Sequence, residues 1–122
     1  MIKIVFCLRR RSDLSREAFQ DYWLNQHAPL VRSHADALGI RRYVQVHAID
    51  DAISLAVAGS RHSPEPFDGV AELWLDSLDA LMNSGGSAAG RAAASALLDD
   101  ERRFIDLEHS PLFLAEEHLI IG

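Results

Sequence analysis

The chain has 122 residues, of which 48% are hydrophobic and 25% charged, a composition that excludes a disordered or fibrous protein. This length predicts one domain, residues 1–122, which hides roughly two-thirds of its unfolded surface on folding. The net charge of -6, with Lys and Arg scattered apart from Arg9, Arg10 and Arg11, argues against a nucleic-acid-binding protein.

The cysteine content and the apolar segments bear on the cellular location. The single cysteine, Cys7, excludes an intramolecular disulfide framework and is typical of a reducing cytoplasm. No apolar run approaches the about 20 residues that span a bilayer, and Met1 leads directly into an alternating segment without a signal peptide. We therefore expect a cytoplasmic protein without a membrane partner.

The first third of the chain predicts a strand followed by a helix in two pieces. Apolar residues alternate along Ile2–Leu8, which is typical of a strand with one apolar face. The oxygens of Asp13 and Ser15 would cap a helix that begins at about residue 16. Pro29 cannot donate a backbone hydrogen bond, so we expect a kink or restart near His27, with a second piece over residues 30–38.

The remaining elements are read from alternation, breakers and helix formers. The sequence predicts a second strand at 40–49, an irregular connection at 50–68 with a brief extended run at 53–57, a third strand at 69–75, a helix from Ser77 broken at 83–87 and resumed at 88–104, and a closing strand at 111–121.

This order is typical of an α+β ferredoxin-like fold, in which two helices, here both interrupted, cover one face of a four-stranded antiparallel sheet. We assign Tyr43, Gln45, His47, Glu72 and Trp74 to the other face. That face would be too aromatic for solvent and too polar for a sealed core. We therefore expect another sheet or a ligand to cover it, and we infer a homodimer. The alternative, if His27 acts from the helical side, is a pocket between helices and sheet lined by Phe6, Val44 and Leu73.

Several segments at fixed spacing resemble the EthD-domain family. The segment YWLNQHAPLV at 22–31 follows RRRSDLS at 9–15 and Phe19, and the likeness continues through FDGVAELW at 67–74, FI at 104–105 and AEEH at 115–118. This resemblance implies a dimeric α/β barrel and kinship with cofactor-independent polyketide cyclases, methylmuconolactone isomerases and dehydratase-type enzymes. It also implies a small hydrophobic cyclic ligand.

His27 is the first candidate for catalysis, and it falls within the family signature. A near-neutral imidazole at a helix discontinuity could exchange protons with a carbonyl compound at physiological pH. The alternative is that its ring nitrogens bond to the backbone carbonyls that Pro29 leaves without a donor.

The predicted strands supply the other polar candidates. His47 is a second catalytic candidate, and with Tyr43 and Gln45 it would form a polar row that orients a substrate oxygen. The alternative is a hydrogen-bonded row inside a dimer interface. Glu72 beside Trp74 could be a general base, but an interfacial salt bridge, for example to an arginine, is the favoured interpretation.

Large aromatic residues are expected mainly in the core, with one or two of them lining the pocket. Those considered for substrate contact are Tyr22, Trp23, Trp74 and Phe113. His118 is interpreted as a solvated residue of an edge strand. The histidines show no compact pair with the spacing of metal ligands, so we expect neither a metal nor another cofactor.

These observations favour a cofactor-independent lyase or isomerase in which His27, assisted by His47 and Tyr43, moves a proton on a hydrophobic cyclic carbonyl compound. Two alternatives remain open at this stage. One is a non-catalytic protein that binds such a compound, and the other is a monooxygenase of quinol-type substrates.

Overall fold

A computed structural model describes all 122 residues and contains four strands and five α-helices. In chain order they are β1 (Ile2–Leu8), α1 (Arg16–Tyr22), a π-helical turn (Trp23–His27), α2 (Ala28–Leu38), β2 (Arg42–His47), α3 (Ala52–Gly59), β3 (Gly69–Leu75), α4 (Leu78–Gly86), α5 (Ala88–Glu101), a 3-10 turn (Leu107–His109) and β4 (Leu112–Ala115). The strands form one antiparallel sheet in the spatial order β2-β3-β1-β4. The predicted α+β ferredoxin-like fold is confirmed.

The first helical segment runs on from α1 to α2 through the π-helical turn. Ser15 caps α1, because its hydroxyl accepts a hydrogen bond from the Ala18 N–H. The predicted discontinuity at His27 takes the form of a π-helical turn, in which the N–H of Ala28 donates to the carbonyl of Trp23. Such turns are frequent at functional sites. Both Trp23 and His27 are buried by this arrangement.

The extended run expected at residues 53–57 is wrong, because this segment lies within helix α3. The carboxylate of Asp51 accepts a hydrogen bond from the Ile53 N–H and so caps the helix. Alanine is the strongest helix former, and Ala52, Ala56 and Ala58 outweigh the β-branched residues between them.

The second helical segment breaks later than predicted. Residues 83–86 remain helical, and the break falls at Ser87, whose hydroxyl accepts from the Gly90 N–H and caps α5. Two strands are shorter than expected. Strand β2 covers only Arg42–His47, and β4 ends at Ala115. His118 is exposed but lies beyond β4, so it is not an edge-strand residue.

The sheet face beneath the helices forms the hydrophobic core. Side chains of β1 and β3 meet aromatic residues of the first helical segment and of the chain after α5. The core cluster consists of Phe6, Leu8, Phe19, Trp23, Ala71, Phe104 and Ile105. The ring centroid of Phe19 lies 5.6 Å from that of Trp23 and 5.5 Å from that of Phe104.

The assignment of Tyr43, Gln45 and His47 to the open sheet face is wrong. Tyr43 lies opposite Leu73, on the helix side, whereas Val44 lies opposite Glu72, on the open side. Gln45 donates to the backbone oxygen of Trp23 at 2.9 Å, which the open face would not allow. Alternation shows which residues share a face but not which face meets the helices.

Candidate active site

His27 is held at the end of the π-helical turn by a carboxylate from α5. Its Nδ1 lies 2.7 Å from Oδ2 of Asp100, and the residue is only 5% exposed. The ring therefore does not cap the backbone around Pro29, and this alternative interpretation is wrong. Burial lowers the pKa of His27, and the hydrogen bond to Asp100 opposes that effect only in part.

Asp100 is itself fixed by a second donor. The hydroxyl of Tyr22 donates to Oδ1 of Asp100 at 2.6 Å, and the guanidinium Nε of Arg103 lies 3.9 Å from the same oxygen. In a neutral imidazole, an Nδ1–H donated to this carboxylate leaves Nε2 as the hydrogen-bond acceptor. An imidazole base held in its orientation by a carboxylate is the arrangement of an activated acid-base site.

His27 lines a narrow cavity of about 40 Å³ between the helices and the sheet. Two other ionisable side chains line it, Tyr43 from β2 and Glu101 from the end of α5. Burial raises the pKa of Tyr43, so its hydroxyl stays protonated near neutral pH. The cavity therefore brings His27 together with one of the predicted polar residues and with one that was not predicted.

A wider apolar pocket of about 280 Å³ adjoins this narrow cavity. The two cavities share the lining residues Phe6, Leu73, Leu97 and Glu101. Eleven of the thirteen residues that line the wide pocket are hydrophobic, and Glu101 is the only one with an ionisable side chain. Its volume is close to the lower end of the range for small-molecule sites, about 300 Å³.

Glu101 is the titratable group that burial perturbs most clearly. Burial, followed by the nearby charge of Asp100, raises the pKa of Glu101 from 4.5 to about 7. A carboxyl with such a pKa can hold or release a proton near physiological pH.

His47 does not reach the cavity of His27. Its ring stacks on Trp23, with centroids 4.5 Å apart, and it lines a separate surface groove with residues of α1. Its Nε2 lies 2.7 Å from Oε1 of Gln45, and the amide Nε2 of Gln45 donates to the Tyr43 hydroxyl at 2.8 Å. His47 is therefore linked to the narrow cavity only through Gln45 and Tyr43.

Three predicted substrate contacts lie on the open sheet face, away from His27. Glu72 forms a salt bridge with Lys3 at 2.8 Å, rather than with the arginine expected from the sequence. Trp74 is covered by Lys3 and Arg42, and its indole N–H donates to Glu117. Phe113 is 50% exposed.

Of the predicted aromatic contacts, only Trp23 and Tyr43 line the same cavity as His27, and Tyr22 reaches it through Asp100. Asp100 and Glu101 were not found from the sequence. A signal was present for Glu101, because it follows the buried Leu97 by four residues and so continues the apolar stripe of α5. No group of three or more His, Cys, Asp or Glu side chains is placed to hold a metal ion.

The fold and the cavities define a ferredoxin-like α+β protein with an apolar pocket inside the protomer. The chain belongs to the EthD domain family, which it matches over residues 11–108. The AEEH segment at 115–118 lies outside this match. None of the helices has the length and apolar character needed to cross a bilayer.

Solved structures share this fold at low sequence identity. An EthD family protein from Bacillus halodurans is 20% identical, with a TM-score of 0.63, over 97% of this chain and 99% of its own. SnoaB from Streptomyces nogalater, described as a cofactor-independent oxygenase, is 14% identical, with a TM-score of 0.57, over 98% and 95%. A dimeric ferredoxin-like protein from Thermobifida fusca is 12% identical, with a TM-score of 0.56, over 93% and 87%. No curated protein matches the chain in sequence.

Proposed function

We propose that the protein is a cofactor-independent lyase or isomerase that uses His27 to move a proton on a small hydrophobic cyclic carbonyl compound. The observation that carries this proposal is the hydrogen bond between Nδ1 of His27 and the Asp100 carboxylate at the wall of the narrow cavity. A neutral imidazole whose Nδ1–H is bound by a carboxylate has a basic Nε2 and a fixed orientation. Both properties suit the removal of a proton from carbon next to a carbonyl group.

The apolar pocket supports the hydrophobic character of the substrate. A cavity of about 150 Å³ is large enough for benzene, so the wide pocket of about 280 Å³ suits a compound of one or two rings. Exclusion of water from such a pocket strengthens electrostatic interactions with the reacting groups. Trp23 and Tyr43 would contact the substrate near His27, and Tyr22 would act as a positioning residue through Asp100.

We also propose that two copies pair through their open sheet faces. Valines of β2, β3 and β1 share this face with the half-exposed Phe113, and in a lone protomer Val46 is exposed while the others are only partly buried. The Thermobifida fusca protein of the same fold is described as dimeric. Because the pocket lies on the other side of the sheet, each protomer would carry its own site.

Exchange of carbon-bound hydrogen provides the test. The bicyclic ketone 2-tetralone is incubated with the protein in D₂O, and loss of its α-proton signal is followed by NMR. We expect the wild-type protein to accelerate exchange above the buffer rate. His27→Gln and Asp100→Asn should each reduce this acceleration about 10²–10⁴-fold, the usual contribution of a positioned acid or base. Glu116→Gln, at an exposed position, is the matched control.

A non-catalytic ligand-binding role is the second candidate, because the wide pocket is almost wholly apolar. Binding of 2-tetralone without faster exchange in the wild-type protein would support that role and contradict the enzyme. The oxygenase alternative makes a different prediction, since it requires oxygen uptake when a naphthalenediol is added to the protein.

A further inference from the structure

Glu101 is the only ionisable side chain that lines both the narrow and the wide cavity. It stands at the last residue of α5, directly after Asp100, which binds His27. Any compound with its apolar body in the wide pocket and its polar group toward His27 would therefore meet the Glu101 carboxyl at the boundary.

The groups around Glu101 explain why this carboxyl differs from its neighbour. The side chains that face the wide pocket from β1, β3, β4, α2 and α4 are all uncharged. From the narrow cavity, the π-helical turn contributes His27 and β2 contributes Tyr43. On its own helix, Asp100 adds a like charge. No cation faces the cavities to stabilise an ionised Glu101.

The carboxyl oxygens of Glu101 are also available to a ligand. Asp100 accepts hydrogen bonds from Tyr22 and pairs with His27, whereas no hydrogen bond of the protein involves the Glu101 carboxyl. No side-chain oxygen in the chain is both fully enclosed and without a partner, so the oxygens of Glu101, a residue that lines both cavities, are not sealed inside the fold. A ligand that enters would supply their first partner.

We propose that Glu101 is a second catalytic residue, which donates its proton to the substrate carbonyl oxygen while His27 removes a proton from the adjacent carbon. This inference rests on the function proposed above. The C–H bond breaks and its electron pair forms a C=C bond, while the carbonyl π electrons take the Glu101 proton to form an enol. Glu101 is left as a carboxylate and His27 as an imidazolium, whose proton can then be returned to another carbon or to a leaving hydroxyl group.

The two cavities also indicate the class of substrate. The narrow cavity of about 40 Å³ is several times smaller than the wide pocket of about 280 Å³, so it suits a single functional group. The wide pocket would hold the apolar body. Because no cation faces this pocket, a substrate with its own carboxylate would be rejected, and the class is a neutral cyclic ketone.

The pH profile of 2-tetralone exchange tests the role of Glu101. The reaction requires a neutral His27 and a protonated Glu101, so the rate above background should fall as the pH rises above about 7, where Glu101 loses its proton. Glu101→Gln keeps the size of the side chain but not the transferable proton. We expect it to lower the rate about 10²-fold or more and to remove the fall above pH 7. Glu101→Asp should retain an alkaline fall at a shifted pH.

The outcomes separate this inference from the proposed function. If His27→Gln abolishes exchange while Glu101→Gln keeps the wild-type rate and pH profile, Glu101 has no catalytic role and the proposed function stands. If the wild-type protein binds 2-tetralone without accelerating exchange, both proposals fail. The variants are compared only after their circular dichroism spectra match that of the wild type, and Glu101→Asp provides the result if Glu101→Gln does not fold.

Discussion

Burial of Glu101 should make the stability of the fold depend on pH, whatever reaction the protein catalyses. The folded state holds the Glu101 proton up to a pKa of about 7, whereas the unfolded chain releases it near the ordinary value of 4.5. The contribution of Glu101 to the free energy of unfolding should therefore be highest below pH 4.5 and should fall as the pH rises to 7. Above pH 7 the loss is complete.

The magnitude follows from the difference between the two pKa values. A rise from 4.5 to about 7 corresponds to roughly 3 kcal/mol, at about 1.4 kcal/mol for each pKa unit. Because the carboxyl oxygens are not fully enclosed, partial contact with water reduces this, and we expect about 2 kcal/mol. His27 acts in the opposite direction, since its lowered pKa removes stability as the pH falls below its ordinary value of 6.5.

A comparison of Glu101→Gln with the wild type isolates the Glu101 contribution from that of His27. Urea unfolding would be followed by tryptophan fluorescence at pH 5, 6, 7 and 8 and at one protein concentration. The variant should gain about 1 kcal/mol on the wild type between pH 5 and pH 8, since part of the loss in the wild type occurs below pH 5, whereas Glu116→Gln should gain nothing. A difference between Glu101→Gln and the wild type that stays constant over this range would refute the argument.

Two further substitutions test the fold and the proposed dimer. Gly69→Ala would place a Cβ 2.4 Å from the Trp23 ring and should destabilise the fold by about 2 kcal/mol or more in urea unfolding. The control Gly59→Ala, whose Cβ would meet no atom within 4 Å, should not. Equal stability of the two variants would contradict this packing. Val46→Asp on the open sheet face should convert the proposed dimer to a monomer, as measured by sedimentation velocity. Leu24→Asp on the helical layer is the control and should leave the dimer intact. A dimer unchanged by Val46→Asp would exclude this face as the interface.

The strands and helix caps were largely predictable from the sequence. Alternation located Ile2–Leu8 and Gly69–Leu75 at their observed bounds, because successive side chains of each strand point in turn to the helix layer and to the open face. The hydroxyls of Ser15 and Ser77 cap helices as expected. These features depend on neighbouring residues, so a single sequence contains the information needed to find them.

The composition of the site was less predictable, because it depends on contacts between distant parts of the chain. His27 was identified from the helix discontinuity predicted near Pro29 and from the family signature, but its partner Asp100 lies 73 residues away. The assignment of Tyr43 and His47 failed for a related reason, since the period of a strand does not tell which of its faces the helices cover. Polar residues on an edge strand can lie on the core side when, as with Gln45, they bond to the helix layer.

The two adjacent carboxyls at the end of α5 show how environment divides roles between similar residues. Asp100 faces Tyr22 and His27, which bond to its carboxyl oxygens, and the guanidinium of Arg103 lies near the same group. Glu101 turns toward apolar side chains and has no donor, so burial favours its protonated form. When two neighbouring carboxyls lie in such different environments, one can orient a base while the other supplies a proton. It follows that a hydrogen-bond donor placed beside Glu101 would abolish its proposed function even if the carboxyl itself were unchanged.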